Sequence, residues 1–86
     1  MATQRITLDP DPPVQGQRVR ICYDFDGSGL SSTTLGVSFD GGDETDHEVD
    51  AENPCVTIDV PDGAILITVS DSSSVSPNKT APVVPP

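Results

Sequence analysis

Basic residues are scarce: four Lys and Arg stand against fourteen Asp and Glu, for a formal charge of −10 over 86 residues. Nucleic-acid binding needs a basic face that displaces counterions, and docking on anionic lipid needs the same, so neither is expected. Tryptophan is absent, and the aromatics are Tyr23, Phe25 and Phe39 alone. A flat platform for stacking sugars is therefore disfavoured. No apolar run approaches the ~20 residues of a membrane helix. The residues at Met1-Ala2-Thr3 begin no basic, apolar and small-residue succession of the secretory kind. The two cysteines lack the C-x-x-C spacing of zinc and redox sites. No glycine-rich phosphate loop and no nucleophile elbow is present.

What is present is alternation by two, cut by turn chemistry. Val19, Ile21, Tyr23 and Phe25 share one parity, with Arg18, Arg20, Cys22 and Asp24 on the other. Leu35, Val37 and Phe39 repeat the pattern, as do Val56, Ile58 and Val60, and then Ile65, Ile67 and Val69. Ile6 and Leu8 mark a short first strand, and Val83 and Val84 a last one. Nine prolines and seven glycines leave no window for a sustained amphipathic helix. Asp9-Pro10-Asp11-Pro12-Pro13 cannot sit in a central strand, because proline donates no ladder hydrogen bond. Asp26-Gly27-Ser28-Gly29, Asp40-Gly41-Gly42 and Pro61-Asp62-Gly63 offer the positive-φ positions of tight reversals. These observations predict an all-β chain, a small antiparallel sandwich of six to seven strands, with a small barrel as the rival. Residues 1–76 are read as the sandwich and 77–86 as a proline-rich C-terminal strand or tail.

The order of these segments resembles immunoglobulin-like modules of bacterial surface proteins and phage virion proteins. The stretches that carry the resemblance are Pro10 to Gly16, Val19-Arg20-Ile21-Cys22-Tyr23, and Val56 to Ala64. It spans roughly residues 4–84 and is generic; the tryptophan of antibody-type domains is missing. In such an order the strands that hold Cys22 and Cys55 are neighbours in one sheet. Both cysteines alternate with apolar residues and so point away from the core. The resemblance thus implies a cross-strand disulfide, and two free thiols are the alternative. Closing that loop stabilises by about 3–4 kcal/mol in the chain-entropy model.

Two segments have the residue types of a cation site. Asp24, Asp26 and Ser28, followed by Gly29, match the opening of a calcium loop of the EF-hand type. The match stops there, since position 12 is Leu35 where a bidentate glutamate belongs. An Asx and glycine turn is the plainer reading, and calcium is the one cofactor the sequence allows. The stretch Asp40 to Glu52 holds seven carboxylates and the single histidine, His47. It reads as a solvated acidic loop, with an edge strand at most near Glu48-Val49, where charge would discourage unwanted pairing. Asn78-Lys79-Thr80 fits the glycosylation pattern, which chance explains without a signal peptide.

No constellation of nucleophile, base and cleft supports an enzyme. The expectation is a non-enzymatic structural or interaction protein, complete as a small chain, that makes its contacts through loops and tail. Pro10, Pro12, Pro13, Val83 and Val84 are the candidate contact residues, and subunits of a larger assembly the candidate partners. The concrete setting that suits size and charge is a virion surface, as a phage capsid decoration (cement) protein. The alternative is a module of a bacterial surface or secreted protein, stabilised by calcium.

Overall fold

A computed structural model describes residues 3–86; the start at Met1 and Ala2 lies outside them. Seven strands follow in chain order: β1 (Ile6–Asp9), β2 (Arg18–Tyr23), β3 (Ser32–Phe39), β4 (Thr45–Asp50), β5 (Cys55–Asp59), β6 (Leu66–Asp71) and β7 (Lys79–Pro82). They form two antiparallel sheets, ordered β1-β2-β5 and β4-β3-β6-β7. Alternate side chains meet between the sheets. Ile6, Val19, Ile21 and Tyr23 come from one layer, and Leu35, Val37, Val49, Ile67 and Val69 from the other. Each is almost wholly buried, so period-two patterning translates directly into a two-layer core.

Two local expectations are corrected and one is extended. The acidic stretch does hold an edge strand at Glu48-Val49, and it is longer than expected: residues 45–50 pair with β3 from Val37↔Thr45 to Ser32↔Asp50. Only Val49 is buried, and Asp46 and Glu48 face solvent, so the strand lacks the apolar alternation that marks the others. Ile65 does not share the inward parity of Ile67. It precedes β6, its N–H donates to Asp40 Oδ1 at 2.9 Å, and its side chain is 68% exposed. The last strand lies earlier than Val83-Val84. β7 pairs with β6 from Leu66↔Pro82 to Val69↔Lys79, and Val84 makes a parallel bridge to Val14.

Turn chemistry sets the ends. Asp40 and Gly41 have φ of 56° and 72°, the paired positive values that a type I′ reversal needs, and the Gly42 N–H closes the turn on the Phe39 carbonyl. The chain then returns so that the Glu44 carboxylate lies across the outer face of β3, over Gly36, and accepts from Ser70 Oγ at 3.2 Å. A Cβ at position 36 would collide with that carboxylate. On the other sheet Cys22 and Cys55 are disulfide-bonded at directly opposed positions. The flanking Tyr23–Pro54 and Gln17–Val60 hydrogen bonds place the cysteines at a non-hydrogen-bonded pair, where side chains approach closest.

Candidate functional site

The sandwich has two ends, and the candidate residues divide between them. The first gathers residues 24–31, the 51–54 turn and residues 72–78. Beneath it sits Asp71, 6% exposed, at the close of β6. Its carboxylate accepts from Tyr23 Oη (2.6 Å), Thr33 Oγ1 (2.6 Å), Ser73 Oγ (2.6 Å) and the N–H groups of Ser73 (2.9 Å) and Ser76 (3.0 Å). Tyr23 belongs to the three-stranded sheet, and Thr33 and Asp71 to the four-stranded one. The carboxylate therefore ties the two layers together. Burial alone would raise its pKa, but the donors from Ser73, Thr33, Tyr23 and Ser76 together hold it well below the usual carboxylate range. Burial, then the hydrogen bond to Asp71, pushes the Tyr23 phenol up. Ser76 extends the network, since its Oγ accepts from the Arg5 N–H and donates to Gln4 Oε1.

Asp24, Asp26 and Ser28 do come together at this end, as a turn. Asp24 Oδ1 accepts from the Asp26 N–H, and Ser28 Oγ donates to the Phe25 carbonyl and accepts from the Leu30 N–H. The carbonyls of Asp24 and Asp26 are directed at Arg5, whose Nη1 donates to them at 3.1 and 2.7 Å. The guanidinium thus braces the backbone of the turn, while the Asp24 carboxylate is engaged by the Asp26 N–H. Among the described residues no three or more His, Cys, Asp or Glu side chains gather as metal ligands do. Next to the turn an open pocket of about 390 Å³ is lined by Tyr23, Phe25, Leu30, Ala51 and Pro54, with Asp24 and Asp26 beside them. No nucleophile–base pair faces it. His47 lies elsewhere, on β4, with Nε2 2.9 Å from Thr45 Oγ1.

The second end gathers residues 10–17, the turn at Asp40, residues 60–65 and the C-terminal segment. Here the chain holds its own tail. The Val83 N–H donates to the Ile65 carbonyl, the Val84 N–H to the Pro13 carbonyl, and the Gln15 N–H to the Val84 carbonyl, each at 2.9 Å. Gln15 Nε2 donates to the Ala64 carbonyl at 2.8 Å. Pro13 and Val83 are buried by these contacts, and Val84 is half-buried. Three of the five candidate contact residues therefore serve first to seat the tail on its own domain. Pro10 and Pro12 remain exposed. So do Pro82, Pro85 and Pro86, together with Ile65 and Leu66, the latter 41% exposed.

Sequence reasoning missed two of these features. Asp71 sits on the inward parity of Ile67 and Val69, and a run of serines follows it; an inward aspartate before such donors was the available signal. Leu66 falls on the outward parity of β6, opposite Ile67 and Val69, whereas the exposure of Ile65 carried no such signal: it precedes the strand, where Asp40 Oδ1 accepts from both N–H groups at 2.9 Å. Comparison of the chain with protein-family models, with curated proteins and with solved structures finds no match.

Proposed function

We propose that the protein is a non-enzymatic structural protein that adheres to subunits of a larger assembly, with its tail end as the contact surface. The observation that carries this reading is the exposed pair Ile65 and Leu66 at the end where Pro10, Pro12, Pro82, Pro85 and Pro86 are also exposed. Ile65 and Leu66 are the large apolar side chains that stand exposed, and their placement beside the exposed prolines supports a surface that a partner covers. Prolines lose little conformational freedom when a partner orders them, so the surface is pre-organised. The strand order, with β1-β2-β5 facing β4-β3-β6-β7, supports an immunoglobulin-like assignment, whose rigid sandwich serves as the body of an accessory piece. The disulfide suits a setting outside a reducing cytosol, and a virion surface is one. The specific setting we propose is that of a capsid decoration protein, which strengthens a shell by adding contacts across its subunits.

The test is sedimentation. In native material the protein should travel with particles of megadalton size. A variant carrying Ile65→Ser and Leu66→Ser should stay in the supernatant while keeping a cooperative melting transition. Native protein that sediments as a free monomer overturns the proposal. Fractionation with a cell envelope favours the surface-module alternative.

A further inference from the structure

The two lateral sides of the sandwich differ as much as its ends. On one side the sheets are sewn together: Gln4 Nε2 donates to the Asn78 carbonyl, the Arg5 N–H to Ser76 Oγ, and Val14 bridges Val84. On the other side β4 and β5 are the last strands of their sheets. The pairing phase of β4 follows from the Ala51 N–H, which donates to the Ser31 carbonyl. Counting back by two, Thr45, His47 and Val49 exchange hydrogen bonds with β3. The N–H and C=O groups of Asp46 and Glu48 therefore point off the sheet, and among the described residues none of them has a partner.

The side chains at these two positions stand on the outer face of the sheet and are exposed. No basic residue shares that face. Arg18 and Arg20 lie on the other sheet, Arg18 beside Asp59 at 3.5 Å; Arg5 clamps the residue 24–26 turn; Lys79 pairs with Asp11 at 3.2 Å. The outward positions of β3 beside them are Ser32, Thr34, Gly36 and Ser38, and the Glu44 carboxylate lies over Gly36, so the charge nearest to Asp46 on that face is again negative. The edge of β5 is different in kind, for Cys55 is in the disulfide and Asp59 has Arg18 beside it at 3.5 Å.

We propose that the free edge of β4 receives an extended segment of a partner protein as a further strand, with Lys or Arg at alternate positions opposite Asp46 and Glu48. The backbone supplies the hydrogen bonds and the carboxylates supply the selection. Alternate residues of a strand are about 6.5–7 Å apart, so two cations on the incoming strand match two carboxylates in register. A second copy of this chain is refused, because it would set carboxylate against carboxylate. The proposal rests on the adhesive reading above in needing a protein partner, but it concerns a separate surface.

The test uses the full chain and the peptide Lys-Thr-Lys-Thr-Lys-Thr-Lys, blocked at both ends, at low salt. Binding should slow hydrogen exchange at the Asp46 and Glu48 amides. N-methylation of the lysines, whose N–H groups face β4 in this register, should weaken binding at least tenfold, whereas N-methylation of the threonines should change it less than threefold. The glutamate counterpart of the peptide should not bind. Asp46→Asn with Glu48→Gln should cost about tenfold, and Asp59→Asn with Asp62→Asn, which removes the same net charge, less than threefold. Equal losses from the two methylated peptides, or from the two double variants, would reduce the effect to general charge attraction and overturn the proposal. Absence of binding also overturns it, and leaves the sedimentation result to decide the tail end on its own.

Discussion

The two ends of the sandwich close the same pair of sheets by opposite chemistry. At the Asp71 end one buried carboxylate draws five donors from both layers, and Arg5 satisfies the carbonyls of the neighbouring turn. At the tail end, backbone hydrogen bonds from Val83, Val84 and Gln15 fasten an extended segment, and Ile65 and Leu66 are left in water. The difference separates structural work from surface work. A domain with a thin core gains cohesion where polar groups are buried and fully paired. The other end can then present apolar surface without unravelling.

Substitution at the first end should have the largest effect. Asp71→Ala leaves the Tyr23 and Thr33 hydroxyls and two N–H groups without their acceptor, and should destabilise by about 3–5 kcal/mol, read by urea denaturation. The same group sets acid sensitivity. Its folded pKa lies below the unfolded value of about 3.9, so the unfolded chain binds the proton more readily. Its contribution is complete above about pH 5 and is lost as pH falls towards the depressed folded pKa. Between pH 5 and 2 the Asp71→Ala variant should therefore lose less stability than the parent; a loss of equal slope would show that Asp71 is not the acid-sensitive group.

Replacing Cys22 and Cys55 by alanine, close to the same end, should cost about 3–4 kcal/mol in the chain-entropy account, and the reduced parent should match the double variant. At the tail end, deletion of residues 83–86 removes a buried valine and the bonds to Pro13, Gln15 and Ile65. It should cost about 2–3 kcal/mol, a smaller loss than that of the single carboxylate. The smallest stability effect, within about 1.5 kcal/mol, belongs to Ile65→Ser and Leu66→Ser, because Ile65 is 68% and Leu66 41% exposed and little covered apolar area is lost. If that pair destabilised as much as Asp71→Ala, the contrast between the ends would collapse.

The two-layer architecture was legible because β2, β5 and β6 alternate strictly and turn residues punctuate them. β4 was legible only near Glu48-Val49, since a strand with Val49 alone buried has almost no apolar period to read. The acidic turn at Asp24 read as half a calcium loop because the ligand types were right. What the pattern did not announce is Arg5, which is distant in sequence and braces the turn's carbonyls only when β1 lies beside β2. The tail read as a free or partner-held segment because its composition is that of a linker. Its docking depends on carbonyls of Pro13 and Ile65 that no local pattern announces. In each case the missing information was a long-range contact.

Gly36 links features that lie far apart. Its bare backbone is the hollow in which the Glu44 carboxylate rests, and Glu44 closes the same reversal whose Asp40 grips the Ile65 and Leu66 amides. A methyl group at position 36 would meet that carboxylate, and the flexible Glu44 side chain would have to swing out and give up its bond to Ser70. The bare middle of the longest strand thus gives an acidic side chain its berth on the outer face, and Gly36→Ala would vacate it.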